Sequence, residues 1–382
     1  MKIAYIFSTL AKTGGTERMI AEKANYLAEQ FGYDVTIINC FQRDDEANHF
    51  AVSGKVKQIN IGIPYFSQYK YKYPKRFWIK RQLNNQVKKS IAHYVRVVDP
   101  DILIGVSFFN ANLISTVRCR AKKIIESHEA RPFTLSSFNG KRHLLSRLYL
   151  SVFRFFYFRT IERYADVVVT LTEDDKKLWK RAKRIEVIPN FSTMPISNFT
   201  NCTSRRIIAV GRLEWEKGYV RLIEIWRIVS TRHPDWHLDV FGEGSMHDTL
   251  EALIDSHNVK NFTLHKATSD ISQEYANSSI CVVTSYFESF SLVLLEALRH
   301  GVPCVAFDCP FGPRSIINDA YDGFLVDNGN TRLYAERICR LIEDEELRKH
   351  FSERAIEKAK AFDVDVIMNK CAVLYQQLVN DY

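Results

Sequence analysis

The sequence has no CxxC pair and no Cys/His cluster at zinc-ligand spacing, which argues against a structural metal. Its eight cysteines stand singly, most of them in strand-like or helical runs, and are expected as buried reduced thiols rather than disulfides. Nowhere does it reach the roughly 18 uninterrupted apolar residues of a membrane span. The best candidate, LYLSVFRFFYFRTIERY, is broken by Arg154, Arg159, Glu162 and Arg163, so the chain is expected not to cross a membrane by itself. The opening MKIAYIFSTLAKTGG has a lysine and a short apolar run, yet no small-residue cleavage site follows, and it is expected as a strand rather than a leader. A GxGxxG fingerprint is missing as well, which disfavours a dinucleotide-dependent dehydrogenase. Short internal repeats and low-complexity tracts are also lacking.

One long stretch lacks acid altogether. Residues 70–98, KYKYPKRFWIKRQLNNQVKKSIAHYVRVV, hold nine Lys or Arg and no Asp or Glu, with Tyr71, Tyr73, Phe77 and Trp78 interleaved and Tyr69 directly before them. This composition suits an anionic membrane surface or nucleic acid. A solvated helix whose apolar side packs inward accounts for it equally well.

What is present describes a folded α/β chain. Apolar residues make up 46% and charged residues 25%, and the net charge is +9, a globular and moderately basic balance. At 382 residues, two domains are expected, because a single core rarely serves that length. Strand-like runs alternate with helical patterns: KIAYIFS, DVTIINC, VKQINI, DILIGVS, AKKIIES, DVVVTLT and RIEVIPN in the first half. The polar stretch FSTMPISNFTNCTS then reads as a linker, after which the alternation restarts with RRIIAVGRL, WHLDVFGEG, NFTLHKA, SICVVTS, VPCVAFD and DGFLVD. The boundaries expected are 1–190, 191–361 and a C-terminal helix over 362–382 that packs back on the first domain. Two doubly wound parallel sheets in tandem follow, and a ligand is expected beyond the carboxyl ends of their strands, in the cleft between them.

Four places carry candidate chemistry. In STLAKTGGTERMI, Gly14 and Gly15 open a helix, either to let backbone amides approach an anion or as a tight turn with Thr16 as N-cap. In VGRLEWEKGYVRL, Arg212 and Lys217 are two cations suited to a diphosphate, unless Glu214 or Glu216 neutralises them. In TSYFESFSLVLLEALRHG, Glu288 lies on a loop. If Ser291 caps the following helix, the opening amides (residues 289–293) suit a phosphate and Glu296 lies in the first turns, where two acceptor oxygens suit a vicinal diol. The alternatives are an ordinary helix residue for Glu296 and a solvated loop charge for Glu288. Finally, IIESHEARPF ends a strand on His128 and Glu129, with Glu129 either aimed at the site or paired with Arg131.

ESFSLVLLEAL, with Glu288 and Glu296 in an E-x7-E arrangement, and GRLEWEKG together resemble the retaining family-4 glycosyltransferases of GT-B fold. The order of elements matches over nearly the whole chain, including the Gly-Gly-Thr-Glu loop, VIPN, FGEG and PFGPRSIIND. The resemblance implies an α/β GT-B architecture, two Rossmann-like domains facing a central cleft, the first binding acceptor and the second a nucleotide-sugar donor. By similarity Arg212 and Lys217 hold the donor pyrophosphate, Glu296 the ribose and Glu288 the sugar. Ser289, Phe290 and Ser291 offer backbone amides, Gly15 approaches the phosphate, and His128 contacts the transferred sugar. The pattern usually has a small residue or glycine where this chain has Ser291.

The catalytic set expected is therefore His128, Glu288, Arg212 and Lys217, without a cofactor or metal. Fixed cations stabilise the leaving phosphate in place of a metal. The DxD at Asp363 and Asp365 reads as the cap of a C-terminal helix. Retention would run on one face of the sugar, the donor phosphate helping to deprotonate the acceptor. By family frequency the nucleotide is uridine diphosphate, with a hexose or N-acetylhexosamine. The basic, aromatic segments 70–98 and 140–164 suit a glycan or lipid-linked saccharide acceptor at an anionic membrane, on the cytoplasmic face, in capsule, O-antigen or exopolysaccharide synthesis. The competing readings are a GT-B nucleotide-sugar epimerase, a scaffold derived from a transferase, and a nucleic-acid-binding protein. The last explains the charge but neither the cation pair nor the glutamate pair, and no nucleic acid is expected as partner.

Overall fold

The computed structural model describes residues 1–106, 111–132, 144–196 and 198–380, without the side chains of 144–149. The start of the second basic segment, 140–143, lies outside the described residues. The chain divides into two compact units, Met1–Ile188 with Met368–Tyr382, and Pro189–Ile367.

In the first unit the strands are β1 (Lys2–Phe7), β2 (Asp34–Asn39), β3 (Lys57–Asn60), β4 (Ile102–Val106), β5 (Lys122–Ser127), β6 (Val167–Thr170) and β7 (Ile185–Val187). Between them run α1 (Gly15–Glu29), α2 (Lys75–Val98), α3 (Ala111–Ser115), α4 (Leu144–Tyr164) and α5 (Glu173–Lys176). All strand pairs are parallel, in the order β3-β2-β1-β4-β5-β6-β7. A strand buried on both faces needs no alternation, and β4, ILIGV, is buried throughout. α2 follows the helical period instead: Leu83, Val87, Ile91 and Val95 form one buried stripe, while its charged residues face outward. The inward-packed helix is thus real, and yet Phe77 and Trp78 at its start stay exposed.

The second unit holds β8 (Arg206–Val210), α6 (Tyr219–Arg232), β9 (His237–Phe241), α7 (His247–Ser256), β10 (Phe262–His265), α8 (Ile271–Ala276), β11 (Ile280–Val283), α9 (Leu292–Arg299), β12 (Cys304–Asp308), β13 (Gly323–Asp327), α10 (Thr331–Glu343) and α11 (Glu345–Ala359). Its sheet is also parallel, ordered β10-β9-β8-β11-β12-β13. α12 (Val364–Asn380) begins directly after Asp363, whose carbonyl accepts from Ile367 N at 3.0 Å. From Met368 onward this helix counts with the first unit.

Both sheets reverse their winding once, at β1/β4 and at β8/β11. Loops leaving the carboxyl ends at such a point diverge and leave a crevice. Each unit has its own apolar core, with Trp179 in the first and Trp226 in the second fully buried. All eight cysteines are free, and all but the half-buried Cys119 are buried.

Candidate functional site

The β8/β11 switch point of the second unit carries most of the residues singled out in the sequence. Past β8 the backbone stays hydrogen-bonded: Gly211 N donates to Phe241 O at 3.0 Å and Leu213 N to Glu243 O at 2.8 Å. The approach is so close that a Cβ on Gly242 would sit 1.9 Å from Gly211 O. FGEG therefore cradles the Arg212 loop, and only glycine fits. Lys217 closes a 3₁₀ turn, Trp215–Lys217, and Gly218 follows at φ +69° with its missing Cβ 2.1 Å from Thr284 O. That left-handed residue lets the loops after β8 and β11 touch backbone to backbone.

Polar contacts lock the two loops together. Thr284 Oγ1 donates to Lys217 O at 3.1 Å, and Tyr286 N to Glu216 O at 2.8 Å. Lys217 Nζ meets Glu288 Oε1 at 2.7 Å, and Ser285 Oγ donates to the same oxygen at 2.7 Å. From the far side Gly312 N donates to Glu288 O at 2.9 Å, so the PFGPRS loop braces the glutamate from behind. Arg212 is exposed and binds Glu216 Oε1 at 2.9 Å. The neutralising partner considered in the sequence is thus present for Arg212, while Glu288 takes that part for Lys217.

Ser291 is the N-cap of α9, without a side-chain capping bond, and Phe290 is buried against Phe362 at 5.9 Å between centroids. Ser289 precedes them on the same loop. Glu296 is buried inside α9, where its Oε2 accepts from Tyr275 OH at 3.4 Å.

Arg221 escaped the sequence reading. Its buried guanidinium donates to Thr284 O at 2.6 Å, to Ser285 O, and to Asn328 Oδ1 at 2.7 Å, and lies over Phe307 at 3.9 Å. Burial lowers its pKa, and the carbonyls compensate by holding the β11 loop. The available signal was register: Arg221 falls on the apolar stripe of Ile225 and Val229, where a charge needs buried partners.

In the first unit Gly14, not Thr16, is the N-cap of α1, with Gly15 its first residue. A Cβ on Gly14 would lie 2.2 Å from Glu17 Oε2, so the Glu17 carboxylate folds back over the helix start. His128 follows β5 directly and is buried. Its Nε2 lies 2.8 Å from Glu126 Oε2, which also meets Lys23 Nζ at 3.0 Å. Burial pushes the Glu126 carboxyl up, but Lys23 and His128 outweigh it and hold the group down at about 2. Burial lowers the His128 pKa despite its bond to Glu126, which keeps the imidazole neutral.

Arg131 pairs with Glu162 at 2.6 Å. Glu129 sits where burial, opposed by Arg154, raises its carboxyl to about 8. Asp175 pins both flanks of this turn, accepting from Ser127 Oγ and Arg131 N at 2.8 Å each.

A cavity of about 560 Å³ opens beside the carboxyl ends of β1, β2 and β3, lined among others by Lys12, Phe41, Arg43, Tyr65, Phe66 and Lys70. Lys12 Nζ stands 4.9 Å from the Phe66 ring. Among the described residues one trio, His247, Asp248 and Glu251, has metal-ligand spacing, and it is partly or fully exposed on α7.

A family model described as Glycosyltransferase Family 4 matches residues 13–191, and one described as Glycosyl transferases group 1 matches residues 192–358. Over 97% of its length the chain is 28% identical to an uncharacterized glycosyltransferase of Haemophilus influenzae, 98% of which is covered. With the same coverage of 97% and 98% it is 26% identical to the amylovoran biosynthesis glycosyltransferase AmsD of Erwinia amylovora. Among solved structures, a mutant of S. aureus TarM in complex with Fondaparinux, alpha-GlcNAc-glycerol and UDP matches with a TM-score of 0.75 at 15% identity, covering 98% of this chain and 99% of that one. At that identity the likeness speaks for the fold.

Proposed function

The chain belongs to the group 1, family 4 glycosyltransferases of GT-B fold, and from that premise we propose a retaining, metal-independent transfer from a UDP-sugar to a hydroxyl of a glycan or lipid-linked saccharide. The observation that carries the donor reading is the Lys217–Glu288 pair, 2.7 Å across two loops at the β8/β11 switch point. Both candidate cations rest on carboxylates, Arg212 on Glu216 and Lys217 on Glu288. A diphosphate carries more negative charge than a carboxylate and takes both cations in their place. Glu288, relieved of Lys217, then accepts from hydroxyls of the sugar.

The reaction breaks the bond from the anomeric carbon to the diphosphate oxygen and forms one to the acceptor oxygen. The acceptor proton passes to the departing phosphate, on the face it leaves, which retains the configuration. Negative charge grows on the leaving group, so Arg212 and Lys217 bind the transition state more tightly than the donor. The UDP in the TarM neighbour supports the choice of nucleotide, and the Erwinia relative's name, an amylovoran biosynthesis glycosyltransferase, supports a role in polysaccharide biosynthesis.

For the acceptor the first unit offers the cavity with Lys12, Arg43 and Lys70 among its walls. Phe66, Tyr69, Tyr73, Phe77 and Trp78 are exposed on the same stretch of chain, interleaved with lysines, which favours an anionic membrane surface at its cytoplasmic face. No helix among the described residues is long and apolar enough to cross the bilayer.

Thermal denaturation with UDP, GDP, ADP and UDP-sugars in EDTA tests the donor reading, because a ligand of the native state raises Tm. UDP and one UDP-sugar are expected to shift it selectively. Glu288→Gln is expected to keep the UDP shift and lose transfer by at least about 100-fold, whereas Arg212→Ala weakens both. Normal turnover in either variant removes the assignment. A product of inverted configuration removes the mechanism, release of an epimerised sugar without acceptor favours the epimerase, and oligonucleotide binding without any nucleotide shift favours the nucleic-acid reading.

A further inference from the structure

The inward stripe of α1 contains Met19, Lys23 and Leu27 at four-residue spacing, and Lys23 is as fully buried as its apolar neighbours. An ammonium is not left in such a place without a partner, since its desolvation is too unfavourable. Its partner is Glu126 Oε2 at 3.0 Å, and that same oxygen lies 2.8 Å from His128 Nε2. Glu126 lies at the end of β5 and His128 directly follows the strand, and their 2.8 Å contact puts both side chains on one side of it. The other titratable groups packed on this cluster are Tyr5 from β1 and Cys371 and Tyr375 from α12, all buried. A buried ion pair contributes little stability beyond what an apolar pair of equal volume supplies. Its position behind a strand-end histidine asks for another reason.

The charge on each group supplies one. Glu126, ionised against Lys23, can only accept, so His128 Nε2 must donate. A neutral imidazole that donates through Nε2 keeps a bare lone pair on Nδ1. We propose that Lys23 and Glu126 are positioning residues that lock His128 in the neutral Nε2–H form, with Nδ1 left to accept from a hydroxyl of the transferred sugar. This rests on the reading that His128 meets that sugar, and it adds the two residues that decide how it does so. The logic is that of a carboxylate orienting a histidine, with the lysine keeping the carboxylate charged.

Lys23 has a second effect through the same geometry. Its positive charge shares the Glu126 oxygen with His128 and opposes a second proton on the ring. Without it the His128–Glu126 contact becomes a plain ion pair, and the ring is protonated at a higher pH, which blocks Nδ1 as acceptor.

Full-length protein labelled with ¹⁵N-histidine gives a direct test: the His128 nitrogen shifts are expected to show Nε2–H and a bare Nδ1 at pH 7.5. A proton on Nδ1, or a doubly protonated ring, overturns the proposal without any variant. Release of UDP from UDP-glucose and UDP-N-acetylglucosamine supplies the kinetic arm. Lys23→Met is expected to move the acidic limb of kcat/KM to higher pH, with activity recovering toward the wild-type value on the alkaline side. Glu126→Gln, which can either donate or accept, is expected to lower kcat at least tenfold while the UDP-induced Tm shift is kept. If either single variant fails to fold, the double variant Lys23→Met, Glu126→Leu restores an apolar pair and is expected to fold yet keep the kcat loss. His128→Ala separates the two levels. Full activity in that variant sinks the underlying assignment of His128, whereas an inactive His128→Ala beside wild-type pH profiles for Lys23→Met and Glu126→Gln sinks the positioning role alone.

Discussion

Glu126 and Glu129, three residues apart on one strand end, are pushed in opposite directions. Glu126 meets Lys23 and His128 and is held at about 2, so its contribution to stability is present above the unfolded carboxylate value and lost as pH falls toward 2. Glu129 is raised to about 8, mainly by burial. Between an unfolded value near about 4.3 and that folded value, the native state keeps a proton that the unfolded chain has released. Stability present at low pH is therefore lost as pH rises through this window. Glu129→Gln is expected to have a flatter Tm profile, with the gap to wild type widening from pH about 4.5 to about 8; parallel profiles would show that the carboxyl is not raised. Both glutamates look alike in ESHEAR. Their surroundings distinguish them: Lys23, 103 positions away from Glu126, together with His128 outweighs burial at Glu126, whereas burial prevails at Glu129. Arg212, Lys217 and Glu288 were readable as candidates because cations and carboxylates at strand ends suit phosphate and sugar. Which carboxylate each cation meets was not.

At the scale of elements, periodicity did most of what was needed. Every strand-like run named from the alternation is a strand; central ones such as β4 are short and apolar because they are buried on both faces, whereas the edge strand β3 keeps Lys57 and Gln58 exposed. The alternative with Thr16 as the α1 cap does not hold, because a Ser/Thr rule looks for a side-chain acceptor, whereas Gly14 has none and Glu17 covers the helix start. The stretch from the 3₁₀ helix Tyr65–Lys70 into α2 had two readings, and the structure carries features of both. Leu83, Val87, Ile91 and Val95 face the core while Tyr73, Phe77 and Trp78 remain outside among lysines. Each lysine near an anionic surface is worth about 1 kcal/mol. Replacing Lys70, Lys72, Lys75 and Lys80 with glutamate should weaken binding to phosphatidylglycerol vesicles by at least about 100-fold in a flotation assay. Unchanged binding would defeat the membrane reading and leave the donor site untouched.

At the scale of the whole molecule, the chain leaves the first unit at Ile188 and returns to it at Met368. The returning helix brings Cys371, Leu374, Tyr375 and Leu378, all buried, to a unit whose sheet was completed some 180 residues earlier. Burying a large side chain contributes about 1.5–3 kcal/mol, so removing residues 368–382 should destabilise the first unit by several times that amount. Calorimetry is expected to show one transition lowered and the transition of the second unit retained. A truncated chain that melts like the full one would mean that the helix contributes no packing.

The sequence by itself determined two tandem α/β halves, their strands, and the loops in which chemistry-bearing residues stand. These depend on short-range properties: burial periodicity, glycine at backbone contacts, and charge at strand ends. Tertiary structure alone decided the strand order that puts the Arg212 and Glu288 loops on either side of one switch point. It also decided that Arg221 clamps the second of those loops, and that Lys23 reaches Glu126 behind His128. Those contacts join residues 63 and 103 positions apart. No local pattern encodes such pairs, since two charges recognise each other only after the sheet has brought their strands and helices together.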